Sequence, residues 1–287
     1  VQICIPAAGI WSTIEGDPHD LAQLAWTMDE WASQLDPNNR GRPVYTQDGA
    51  RLQVLTGAVL ALHQAGILPP PPPPPAWSTG PVSEIQELCS KLHRAELLWE
   101  HQAVATAAAL GCPGAQCIIE VATGGGKTRL AAAVMAVGAL DAGATTPWLY
   151  LVTNKELAQQ AAGKLRQQLP KLAEVLNTAP PPIRACSYGG ISKLRPEYYA
   201  GVIVDECHSL PPPTRSREYG LLRAGWRIGL SGTPLDRLDA GNALVIGLLG
   251  PVVYQIRVGA LQHRGHLAEG VVQRVIYDAD TDEVYQP

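Results

Sequence analysis

The chain has 287 residues, 46% hydrophobic and 17% charged, with a net charge of −4. A core of useful size fits in that length, with room for one α/β domain and a smaller module, while no apolar run approaches the length of a membrane span. Residues 1–80 carry three basic and seven acidic side chains and residues 81–287 nineteen of each, so no basic tail or stripe advertises a nucleic-acid surface; any such surface must be local.

Near the start, Asp17-Pro18 reads as a helix cap and first turn, and Leu21, Leu24, Ala25, Met28, Trp31 and Leu35 follow on one stripe. A second helix is expected over 48–65, with Leu52, Leu55, Val59 and Leu62 inward and Gly66 ending it. Together they predict a small helical N-terminal module over 1–68. Seven prolines at 69–75 cannot join a helix or a sheet ladder, so 69–80 is expected to be a stiff polyproline spacer of about 20 Å. A proline run can also dock in an aromatic groove, but no basic residue flanks this one.

From residue 81 the pattern becomes strand, loop, helix, repeated: a strand at 118–121 and helix at 127–140, a strand at 149–153 and helix at 157–168, then strands at 201–204 and 228–230. Such alternation predicts a parallel, doubly wound sheet with ligands at the carboxyl ends of its strands. At the first of these ends, Thr123-Gly124-Gly125-Gly126-Lys127-Thr128 reads as a phosphate-binding loop. Glycines let the backbone approach phosphate, the positive end of the following helix faces the anion, Lys127 reaches the β/γ-phosphates and the Thr128 hydroxyl can ligate Mg²⁺. The full consensus wants glycine where Val121 stands.

The strand at 201–204 ends in Asp205-Glu206-Cys207-His208. An acidic pair there supplies the second half of a nucleotide site: Asp205 holds Mg²⁺ and Glu206 orients or deprotonates the attacking water. The six cysteines are scattered without a Cys-x-x-Cys pair and read as reduced thiols of an intracellular, cytoplasmic or nucleoid-associated protein; Cys112 and Cys117 flank a Pro-Gly turn but have no second pair to complete a metal site. No basic leader precedes the apolar start.

These motifs resemble those of the superfamily 2 helicases and translocases, whose second motif reads Asp-Glu-x-His. Four further segments follow the family's order. Leu98-Trp99-Glu100-His101-Gln102 is similar to the glutamine motif, in which Gln102 would read the adenine edge. The segment at 151–160, with Thr153, Asn154 and Gln160, is similar to motif Ia, and Ser187-Tyr188-Gly189-Gly190 stands at the next backbone-contacting segment. Gly229-Leu230-Ser231-Gly232-Thr233-Pro234 resembles motif III, where Ser231 and Thr233 would couple hydrolysis to the strand groove. The wording of 231–237 leans toward the repair and restriction-translocase branch.

The resemblance implies a RecA-like ATP-binding lobe over 81–270, with 271–287 starting an interlobe linker after the hinge-like Gly265-His266-Leu267. It makes Lys127, Asp205, Glu206 and His208 the catalytic set, Thr128 and Asp205 the Mg²⁺ ligands, and ATP the nucleotide. It also implies a nucleic-acid partner, DNA in preference to RNA, and a second RecA-like lobe in cis or in trans. No arginine-bearing segment of that second lobe follows Pro234, and Arg40-Gly41-Arg42 sits among turn residues. Two other readings stay open: an RNA-directed helicase, and a non-catalytic nucleotide-binding lobe that regulates a partner.

Overall fold

A computed structural model describes residues 2–4, 11–35, 44–48, 51–68, 82–112, 115–194, 198–210, 223–237, 241–268, 276–278 and 283–285. The proline run, Arg40 and Arg42 lie outside the described residues.

The N-terminal module is not all-helical. Helix α1 (Pro18–Leu35) forms as its pattern predicts, with Asp17 Oδ1 accepting from His19 N at 2.8 Å and Leu21, Ala25, Met28 and Ala32 buried. Around it, however, β1 (Gln2–Cys4), β2 (Trp11–Glu15), β3 (Tyr45–Asp48) and β4 (Arg51–Leu55) make an antiparallel sheet in the order β1-β2-β4-β3. The expected second helix is thus reduced to α2 (Thr56–Gln64). Leu52 and Val54 satisfy the period of a strand as well as Leu52 and Leu55 satisfy that of a helix, and pairing with β2 decides between them. The register pairs Asp48 with Arg51 and Tyr45 with Val54.

The C-terminal part contains α3 (Val82–Arg94), α4 (Glu100–Leu110), α5 (Lys127–Ala142), α6 (Lys155–Leu176), α7 (Asn242–Leu249) and α8 (Val258–His263). Its six strands, β5 (Gln116–Val121), β6 (Trp148–Val152), β7 (Ile183–Ser187), β8 (Tyr198–Asp205), β9 (Arg223–Ser231) and β10 (Val252–Ile256), are all parallel in the order β10-β5-β9-β8-β6-β7. This is the expected RecA-like α/β sheet. The apolar run at 244–258 divides into α7 and β10. Helix α6 continues through Pro170 to Leu176, beyond the predicted end, because that proline lies on the exposed side where water can serve the carbonyl it leaves unpaired. A two-stranded ribbon, β11 (Ile276–Asp278) and β12 (Glu283–Tyr285), falls in the segment expected to begin a linker.

Side chains of the central strands alternate between two cores. Trp148, Tyr150 and Val152 of β6 face the cluster shared with α3 to α6. Leu149 and Leu151 face a second cluster that contains Val204, Leu248, and the module's Met28, Val54 and Leu62. The N-terminal module therefore covers the sheet face opposite α5 and α6, with the apolar α7 between them. A methyl group on Gly57 of α2 would stand 2.1 Å from Ile246 O, and one on Gly247 of α7 would stand 2.5 Å from Leu55 Cδ1. The two backbones are in contact. Gly57→Ala is accordingly expected to cost about 3 kcal/mol by overpacking. It should lower the urea midpoint of the whole chain without changing the slope; an unshifted midpoint would contradict this contact.

Candidate nucleotide site and its surroundings

Strand β5 delivers the phosphate loop. Its three glycines are each needed where they stand: Gly124 and Gly126 have φ of +85° and +80°, and a methyl on Gly125 would come within 2.5 Å of Val121 Cγ1. That contact also accounts for Val121. Its side chain is buried beneath the loop and packs under Gly125, supporting the turn from below. Lys127 begins α5, and its Nζ lies 3.0 Å from Glu206 Oε1.

Strand β8 delivers Asp205, and the chain then turns sharply, with Glu206 in the left-handed region at φ +50°. Such a conformation costs a non-glycine residue about 1 kcal/mol and persists only when neighbours hold it. Tyr188 holds it here, its hydroxyl donating to the carbonyl oxygens of Asp205 and, at 3.2 Å, Glu206. His208 Nδ1 then lies 2.8 Å from Ser231 Oγ and 3.4 Å from Glu206 Oε2, while Ser231 Oγ also accepts from Thr233 N at 3.1 Å. Lys127, Glu206, His208, Ser231 and Thr233, from three separate segments, thus form one connected group.

Asp205 is largely buried. Its Oδ2 accepts from Tyr150 OH at 2.7 Å and its Oδ1 from Glu206 N at 3.1 Å. Burial raises its pKa, and the bond from Tyr150 opposes that rise. Burial likewise lifts the Tyr150 hydroxyl well above its ordinary value, so it stays protonated and can only donate to the carboxylate. Thr128, Asp205 and Glu206 line one cavity of about 130 Å³ together with Thr153, Gln160 and Lys164.

Mg²⁺ fits this donor set. It is usually held by one or two protein oxygens, with phosphate oxygens and water completing the octahedron. Thr128 and Asp205 supply that number, and a carboxylate that accepts two hydrogen bonds keeps further lone pairs. Among the described residues there is no group of three or more His, Cys, Asp or Glu side chains that would favour a metal held by protein alone.

Gln102 is placed differently from its expected adenine-reading role. It is buried, its Oε1 accepts from Trp99 N at 3.0 Å, and its Nε2 donates to Gly125 O at 3.1 Å. The opposite amide orientation would set two oxygens against each other. Gln102 caps α4 and ties that cap to the glycine loop. His101 reinforces the tie through Nε2, 2.9 Å from Gly125 O.

The hinge-like segment also rests on the loop. His266 stacks on Trp99 with ring centroids 4.4 Å apart, Arg264 Nη1 lies 3.0 Å from Glu100 Oε2, and Leu267 packs against Gly124. Arg129 lies over the Trp99 ring at 5.5 Å.

Of the residues expected to meet nucleic acid, Thr153, Asn154 and Ser187 line an open cavity of about 530 Å³ together with Lys155, Tyr188 and Ser209. Asn154 also caps α6, its Oδ1 accepting from Leu157 N at 2.9 Å. Gln160 instead faces the smaller cavity beside Asp205. Ser231, expected with Thr233 to couple hydrolysis to the groove, is buried next to His208, Thr233 adjoins it, and neither lines the open cavity.

Three contributors were not evident from sequence. Tyr150 and Tyr188 brace Asp205 and Glu206, and Arg237 Nη1 donates to the carbonyl oxygens of His208 and, at 2.7 Å, Leu210. Arg237 N in turn donates to Asn242 Oδ1 at 3.3 Å, and Asn242 Nδ2 to Leu35 O at 3.0 Å, joining the acidic loop to the end of α1. A tyrosine within a fully buried strand was the available signal, since its hydroxyl needs a partner.

No family model and no curated protein matches the chain. Among solved structures it is similar to the UvsW helicase from bacteriophage T4, at 15% identity and a TM-score of 0.59, over 88% of this chain and 98% of that one. A second T4 UvsW structure gives 16% identity and a TM-score of 0.57, over 88% of this chain and 56% of that one. The aligned share exceeds the C-terminal part alone, so the common fold extends into the N-terminal module. The chain has the fold of a helicase RecA-like lobe.

Proposed function

We propose that a chain with this helicase fold works as the ATP-binding lobe of an ATP-dependent DNA helicase or translocase, coupling hydrolysis to movement on nucleic acid. The observation that carries the proposal is the connected group at the carboxyl ends of β5, β8 and β9: Lys127 on Glu206, Glu206 near His208, and His208 on Ser231.

In this reading the loop backbone and Lys127 receive the triphosphate, and Thr128 and Asp205 would hold Mg²⁺, which would supply charge neutralisation to the phosphates. The phosphates compete for Lys127 and release Glu206, which turns to the attacking water. His208 then passes the change to Ser231 and Thr233. The groove lined by Thr153, Asn154 and Ser187 holds the strand backbone, and Tyr188 belongs both to that groove and to the brace on Glu206. A second RecA-like lobe closes the cleft. The preference for DNA rests on the motif resemblance, and comparing deoxy with ribo oligonucleotides tests it, because only a contact to the 2′-hydroxyl can exclude DNA.

Lys127→Ala tests the site itself. Loss of a charge-assisted contact to phosphate is expected to weaken ATP binding roughly 10²-fold while the thermal transition of the free chain is retained. Parent-like affinity, read with a fluorescent ATP analogue, would remove Lys127 from the phosphate site.

A further inference from the structure

Tyr150 lies in the middle of β6, at register with Ile203 of β8, and its ring is wholly buried in the core shared with α5 and α6. The strand around it, Trp-Leu-Tyr-Leu-Val, is otherwise built from apolar bodies that fill the two sides of the sheet. Packing alone would be served as well by any aromatic ring. The hydroxyl nevertheless donates to Asp205 Oδ2 at 2.7 Å, and Asp205 lines one small cavity with Thr128. Thr128 belongs to the first turn of α5 and Asp205 to the last residue of β8. No backbone ladder joins those two points directly, because β9 lies between β5 and β8.

We infer that Tyr150 is a positioning residue for the divalent cation: its hydroxyl holds the Asp205 carboxylate, across the cavity it shares with Thr128, in the orientation that the metal requires. The inference rests on the nucleotide reading above. A hydroxyl that orients a ligand carboxylate from behind acts as hydrogen-bonded partners of metal ligands generally do, and loss of such a partner lowers metal affinity about 10- to 100-fold. The rest of the nucleotide site does not depend on it. Lys127, the loop amides and the helix end would meet phosphate from the β5 side, away from the Tyr150 hydroxyl.

Tyr150→Phe removes one oxygen and leaves the ring in its core. The test follows binding of a fluorescent ATP analogue to the full chain, first in EDTA and then across a Mg²⁺ titration. Affinity in EDTA should match the parent, while the Mg²⁺ concentration for half-maximal enhancement should rise on the order of 10-fold. In an Asp205→Asn background the same substitution should change the Mg²⁺ response no further, since its effect passes through that carboxylate. A parent-like Mg²⁺ response in Tyr150→Phe would overturn the assignment, as would equal weakening with and without Mg²⁺, which marks a packing role. A parent chain that binds ATP no better with Mg²⁺ than without would instead remove the metal-nucleotide reading, and this inference with it.

Discussion

Residues 1–287 joined to a second RecA-like lobe, in cis or as a partner chain, are expected to hydrolyse ATP about 10³–10⁵ faster on nucleic acid than residues 1–287 alone. Phosphoryl transfer needs positive charge on the transferring oxygens from the far wall of the cleft. Within the described residues Lys127 and the nearby arginines are otherwise engaged, and Lys164, which lines the cavity beside Asp205, belongs to α6 on this side of the cleft. Lys127 is paired with Glu206, Arg129 lies on Trp99, Arg237 holds the carbonyl oxygens of His208 and Leu210, and Arg264 is paired with Glu100. The chain alone should therefore bind ATP and, weakly and with strong salt dependence, nucleic acid, yet neither turn over briskly nor unwind. Stimulated hydrolysis by monomeric residues 1–287 would contradict this and make Arg40 and Arg42 the first residues to substitute.

In that two-lobe form Glu206→Gln should retain ATP while losing turnover by about 10²–10⁴-fold, the usual contribution of a general base. Glu206 combines a left-handed backbone, an ion pair to Lys127 and a carboxylate oxygen 3.4 Å from His208. Glutamine keeps the shape but can neither accept a proton from water nor pair with the lysine. Single-turnover hydrolysis beside equilibrium binding separates the two effects. Rates within a few-fold of the parent would make Glu206 a structural acid that only stabilises the turn.

The parts of this fold legible in the sequence are those whose chemistry and period coincide. The three glycines with Lys127 and Thr128, and the β-branched run ending in Asp205, each announce a strand end and a ligand together, and the parallel sheet follows from their alternation. In the N-terminal module two periods coincide: 51–55 suits either a helix or a strand, and only the partner β2 settles it. Nor does sequence reveal that α2 would pack on α7 through Gly57 and Gly247, since that contact joins segments far apart in the chain. Gln102 shows a different limit. Its motif names the residue, but an amide also satisfies a helix cap and a loop carbonyl, and the motif does not announce those contacts. Tyr150 and Tyr188 were hidden because a tyrosine in or beside a strand needs no function to be there.

The most direct test of the account is calorimetric titration of ATP into residues 1–287, with and without Mg²⁺, for the parent and for Lys127→Ala. One site per chain is predicted, tighter with Mg²⁺ and weakened roughly 10²-fold by the substitution. No heat of binding in the parent, or equal affinity in parent and variant, would contradict a nucleotide site at this loop.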